Sequence, residues 1–166
     1  MLRLRVDLRS DSMEVRTKIM NPRTGKHDDL DLVFDTGAYM TVIDSSVLCR
    51  AGYDLDTPDY ASVNAVGVCN IPARAVLVKN LSFVDIYGNI IPIGPVMVYA
   101  IDMSEGFVSG VIGLNVIREF DTRIKFGRLT EISLFPTFDL SKLVDCEDFV
   151  PTESRFGEWT ASQVVG

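Results

Sequence analysis

The sequence predicts an all-β domain, mostly strands with two short helices. Three observations carry that prediction. Apolar and polar residues alternate along 13–20, with Met13, Val15, Thr17 and Ile19 on one side. Apolar, β-branched runs are separated by turn signals at Asn21-Pro22, Gly88-Asn89 and Gly127-Arg128. Helical spacing is confined to two windows, 45–50 and 114–119.

In chain order, 13–20 is a strand, 21–25 a turn and 28–34 the returning strand. Residues 41–43 form a short β-branched strand. Asp44 is placed to N-cap a helix over 45–50, which Gly52 ends. A polar loop, 54–59, leads to a hairpin with arms 61–68 and 71–78 and its turn near 66–72. A second pair, 81–87 and 90–101, closes around Gly88-Asn89. After a loop at 102–106, the window 114–119 sets Leu114 and Ile117, with the following Phe120, on one helical face. The strands 121–126 and 129–135 flank Gly127-Arg128 as a final hairpin. Pro136 marks a change of character, so the expected division is a folded domain over 1–136 and an acidic C-terminal tail over 137–166.

With 166 residues the chain is long enough to bury a real core. A net charge of −7 argues against nucleic acid as the main partner. The charge is uneven: residues 1–26 carry seven bases against three acids, and 139–158 carry six acids against two bases. The two ends either attract each other or are separately solvated. Cys49, Cys69 and Cys146 include no C-x-x-C pair, and the one histidine, His27, cannot complete a metal set, so free thiols in a reducing compartment are expected. The start, Met1-Leu2-Arg3-Leu4-Arg5, lacks the apolar stretch of a secretory signal. The longest apolar run, 90–101, is broken by Pro92, Gly94 and Pro95 and is too short to span a bilayer. A cytoplasmic protein with no membrane partner is expected.

The chemistry points to Asp35-Thr36-Gly37-Ala38, which follows the apolar Leu32-Val33-Phe34 and precedes Thr41-Val42-Ile43. A carboxylate at the end of a core strand is costly unless it is hydrogen-bonded or functional. About 80 residues later comes Val111-Ile112-Gly113-Leu114-Asn115. Together these resemble the active-site loop of retroviral-type (retropepsin-like) aspartic proteases and the apolar-apolar-Gly motif with short helix that closes that fold. Between them, Val66-Gly67-Val68 falls where such enzymes carry a hairpin flap.

The resemblance implies a closed-barrel-like acid-protease single lobe with a flap hairpin, acting as an aspartic endopeptidase without metal or other cofactor. It implies Asp35, Thr36 and Gly37 as the catalytic group and Ala38, Tyr39, Val66, Gly67 and Val68 as contacts to a polypeptide substrate. It implies Val111, Ile112 and Gly113 as structural support beneath the loop. Ala38 is the small residue typical of the retroviral type; two-lobed pepsin-like enzymes more often carry Ser there. No second D-[ST]-G occurs, since Asp11-Ser12-Met13 and Asp121-Thr122-Arg123 both lack the Gly. One chain holds half of a two-carboxylate site, so the enzyme reading requires a homodimer. Two alternatives stay open: a catalytically silent dimer of the same fold that binds peptide or protein, and an unrelated β-domain with a chance motif.

Overall fold

The computed structural model describes residues 1–9, 12–56, 62–64, 72–103, 108–127 and 129–137. Its strands and helices, in chain order, are β1 (Leu2–Arg9), β2 (Ser12–Met20), β3 (His27–Phe34), β4 (Val42–Asp44), α1 (Ser45–Arg50), β5 (Ser62–Asn64), β6 (Pro72–Val84), β7 (Ile90–Ile101), β8 (Gly110–Ile112), α2 (Leu114–Ile117), β9 (Phe120–Lys125) and β10 (Glu131–Pro136). The strand order is β5-β6-β7-β4-β8-β3-β2-β1-β10-β9, and β6 also pairs with β2. That extra pairing closes β2, β3, β8, β4, β7 and β6 into a ring. Closure hides the edges an open sheet would expose. Among the described residues the result is the mostly β domain with two short helices that the alternation and turn signals predict.

The β2–β3 turn is built by Asn21, whose Oδ1 accepts from the N–H groups of Arg23 at 2.9 Å and Thr24 at 3.1 Å. At the β6–β7 turn, the Asp85 carboxylate accepts from the N–H groups of Tyr87 and Asn89, each at 2.8 Å. This capture ends β6 at Val84, three residues before the limit expected from apolar content. Arms 71–78 and 81–87, expected as separate strands, form the single bent β6. A register shift between Val78 and Leu81 on pairing with β7 lets one strand serve both. β5 pairs with the start of β6, Ser62 opposite Arg74, as the first expected hairpin requires; its tip lies outside the described residues.

The N-terminal residues, read from the sequence only for their basic charge, form a strand. β1 pairs through Leu2–Arg5 with β10 and through Val6–Arg9 with β2, bridging the two. Leu2, Leu4 and Val6 are buried, and Leu4 stands opposite Ile132, also fully buried. Burying a side chain of this size stabilises by about 1.5–3 kcal/mol. Arg3 grips Glu131 through Nε–Oε1 and Nη2–Oε2 contacts of 2.7 Å each. This pair is partly exposed, so it contributes register more than stability. Residues 139–158, on which both readings of the uneven charge depend, lie outside the described residues.

α1 forms where Asp44 caps it. Its Oδ1 accepts from Ser46 N at 2.8 Å and Val47 N at 3.3 Å and is also bonded by the Ser46 hydroxyl, while Oδ2 accepts from Met103 N at 2.8 Å. Burial works against the charge of Asp44, but these hydrogen bonds outweigh it and hold the carboxyl below its usual range. A carboxyl depressed in the folded state stabilises above its unfolded pKa, and that contribution is lost as pH falls through the folded value. Asp44→Ala is therefore expected to cost about 1–3 kcal/mol at pH 7. The gap from wild type should narrow below about pH 4, measured by denaturant melts at pH 7 and pH 3.

Candidate active site

β3 runs parallel to β8, with Val33 opposite Val111 and Phe34 opposite Ile112. Phe34 and Ile112 are fully buried, so the end of β3 is fixed in the core. The Asp35 N–H extends this ladder, donating to the Ile112 carbonyl at 3.1 Å. The chain then turns. Ala38 N–H donates back to the Asp35 carbonyl at 3.3 Å, and Gly37 N–H donates to Asp35 Oδ1 at 2.8 Å. An aspartate that accepts from the amide two residues on makes its own turn. A Cβ on Gly37 would lie 3.2 Å from the same Oδ1, a tight approach that glycine avoids.

The loop in turn serves as the cap of α2. Leu114 N–H donates to the Ala38 carbonyl at 2.8 Å, and Asn115 N–H to the Tyr39 carbonyl at 3.1 Å. Amides at the start of a helix have no partner within it, and here the loop supplies one. Gly113 forms the junction, with its N–H donating to Thr41 Oγ1 at 3.1 Å. Asn115 completes the arrangement. Its Oδ1 accepts from Thr41 N at 2.7 Å and Thr41 Oγ1 at 2.8 Å, while its Nδ2 donates to the Met97 carbonyl at 2.8 Å. One side-chain amide thus ties β4, β7 and α2 together around the Asp35 turn.

Of the residues singled out from sequence, Asp35, Thr36, Gly37, Ala38 and Tyr39 share this turn. Asp35 is partly buried at its base, and Thr36 and Gly37 are exposed. Tyr39 is 47% exposed, with the Arg118 guanidinium 5.4 Å from its ring centroid. Val111 and Ile112 occupy β8 between β3 and β4, and Gly113 precedes α2. Val66, Gly67 and Val68 lie outside the described residues. Among the described residues, no group of three His, Cys, Asp or Glu side chains is arranged to hold a metal ion.

Sequence reasoning assigned no role to Thr41 and Asn115. The signal was a hydroxyl and an amide embedded in apolar segments, since buried polar groups in such places must pair. Thr41 is 0% exposed. Thr41→Val keeps the shape but leaves the Gly113 N–H without its acceptor, and the expected cost is about 1–3 kcal/mol, read from thermal and denaturant melts.

No protein-family model matches the chain, and no curated protein matches it. Among solved structures, a retropepsin-like aspartic protease from Rickettsia conorii aligns with a TM-score of 0.54 at 10% sequence identity, over 81% of this chain and 90% of that one. The chain has the retropepsin-like fold. At this identity the likeness speaks for the fold alone.

Proposed function

We propose that the protein is an aspartic endopeptidase that works as a homodimer, with one Asp35 from each subunit at a shared site. The observation that carries this reading is the Asp35 turn, with its carboxylate held by the Gly37 N–H at the end of a core strand in a retropepsin-like fold. The absence of a second D-[ST]-G in the sequence supports the dimer, because two carboxylates are needed and each chain supplies one.

Two carboxylates held close share a proton, the known behaviour of aspartic-protease dyads. The ionised member takes a proton from a bound water as that water attacks the peptide carbonyl. The protonated member hydrogen-bonds the developing oxyanion and then protonates the leaving amine. Thr36 would bond the opposite loop and fix the two aspartates relative to each other. The hairpin begun by β5 and β6 would act as a flap. Val66, Gly67 and Val68 above, with Ala38 and Tyr39 below, would hold an extended peptide with apolar side chains, much as an added strand. Residues 1–136 would form the enzyme domain in a cytoplasmic protein, with 137–166 as its tail.

The test is cleavage of a peptide library by the full chain and by Asp35→Asn, with molar mass followed by light scattering at neutral and mildly acidic pH. A dimer that cuts only with Asp35 intact supports the reading. A dimer that binds peptide equally well with either residue and never cuts identifies a binding module instead.

A further inference from the structure

One arginine beside the Asp35 turn is held in place yet has no acidic partner among the described residues. Arg118 follows α2, and its Nε donates to the Leu114 carbonyl at 3.1 Å. Its guanidinium carbon lies over the Tyr39 ring, 5.4 Å from the centroid. Tyr39 belongs to the Asp35 turn, whose Ala38 and Tyr39 carbonyls accept from the first amides of α2. The contacts that seat the turn on α2 therefore bring this cation to its flank. Both side chains are exposed, so the stack lies at the surface beside the turn.

The chain carries 23 acids against 16 lysines and arginines, so acidic partners are plentiful. Among the described residues, ion pairs take up Arg3, Lys18, Arg74 and Arg123. Arg118 is in none of them, and Glu119, next in sequence, does not bridge to it. An arginine left to solvent spreads over many rotamers. Here one N–H is anchored on a carbonyl and the guanidinium rests on an aromatic face, a contact it favours. The fold has thus already ordered the side chain, which lowers the entropy cost of a further contact. With Nε taken, both Nη nitrogens remain to donate, and the pair matches the two oxygens of a carboxylate.

We infer that Arg118, stacked on Tyr39, is a specificity-determining residue that takes a carboxylate of the bound peptide, on an acidic side chain or at the peptide's C-terminal end. The inference rests on the peptide-cutting reading of the Asp35 site. Tyr39 lies four positions past Asp35, and the bond from Ala38 N–H to the Asp35 carbonyl folds that stretch into a turn. An extended peptide rises about 3.3 Å per residue, so the carboxylate belongs about two to four residues from the cut bond. At that distance it takes no part in proton transfer. It decides which peptides settle beside the turn and in which register. Apolar and basic side chains cannot accept from the two Nη donors. The net charge of −7 repels acidic peptides at long range, so recognising them requires a cation at the turn itself.

The test scans glutamate, glutamine and lysine through each position of a C-terminally amidated peptide library, with the same peptides as free acids in a second arm. Cleavage is followed with the full wild-type chain, and binding with full-length Asp35→Asn. Wild type is expected to prefer a carboxylate about 10-fold in kcat/KM at one position, mainly through KM, and the preference should shrink as ionic strength rises. Arg118→Gln is expected to bring that ratio to about one, Arg118→Lys to restore part of it, and Arg118→Glu to turn it toward lysine. Each ratio is taken within one protein, so a change in the folded or assembled fraction cancels. A preference for free acids over amides, with none for glutamate, assigns the carboxylate to the chain end. Cleavage without a carboxylate preference in either arm, or a preference that Arg118→Gln leaves intact, overturns the inference while the protease reading stands. Arg118-dependent binding of acidic peptides without cleavage upholds the inference and overturns the protease reading. A chain that neither cuts nor binds any peptide overturns both.

Discussion

On the proposed homodimeric mechanism, Asp35→Asn is expected to lower peptide cleavage by about 10⁴-fold while leaving the fold and the dimer in place. The amide keeps the shape of the carboxylate, and its Oδ1 can still accept the Gly37 N–H that Asp35 accepts at 2.8 Å. What it loses is the capacity to take a proton from water, and in a homodimer both members lose it at once. General acid–base contributions span about 10²–10⁴-fold, and loss of both roles belongs at the upper end, about 5 kcal/mol of barrier. Mixing experiments separate a shared site from two independent ones. When equal amounts of wild type and variant exchange subunits, a site built from both chains retains about a quarter of the activity. Independent sites retain about half. Cleavage by the pure variant at the wild-type rate would remove Asp35 from the reaction.

Gly113→Val is expected to destabilise the fold by about 3 kcal/mol, or roughly 10 °C in melting temperature. The backbone at Gly113 is extended, with φ −99°, so the constraint is space and not conformation. A Cβ there would lie 2.4 Å from the Met40 carbonyl carbon, 2.5 Å from its oxygen and 2.8 Å from Thr41 N. All three are backbone atoms of the segment leaving the Asp35 turn, and they cannot rotate aside as a side chain would. Relief requires β4 and α2 to separate, which would break the 3.1 Å bond from Gly113 N–H to Thr41 Oγ1. Gly127→Ala is the control. Its nearest neighbour would be the Leu129 carbonyl oxygen at 3.8 Å, an ordinary contact, and the expected change is within about 0.5 kcal/mol. Equal melting temperatures for the Gly113 variant and the control would show that the loop is not held against α2 as described.

The sequence by itself determined the features whose bonds close within a few residues. The turn at Asp35, the cap at Asp44 and the hairpin turn at Asp85–Asn89 depend on a side chain meeting an amide two to four positions on. The all-β class followed from alternation in the same way, because the side-chain period of a strand is a local property. β1 was also written there, as alternating Leu2, Leu4 and Val6 among charged residues, but its partner strand begins at Glu131, and the basic charge obscured the pattern. The joining of two expected strands into β6, the closure of β6 on β2 and the meeting of Thr41 with Asn115, 74 positions apart, were decided only by the tertiary structure. Alternation says which face of a strand is buried but not which strand lies beside it. That choice is made when the barrel closes and every buried amide and hydroxyl must find a partner at once.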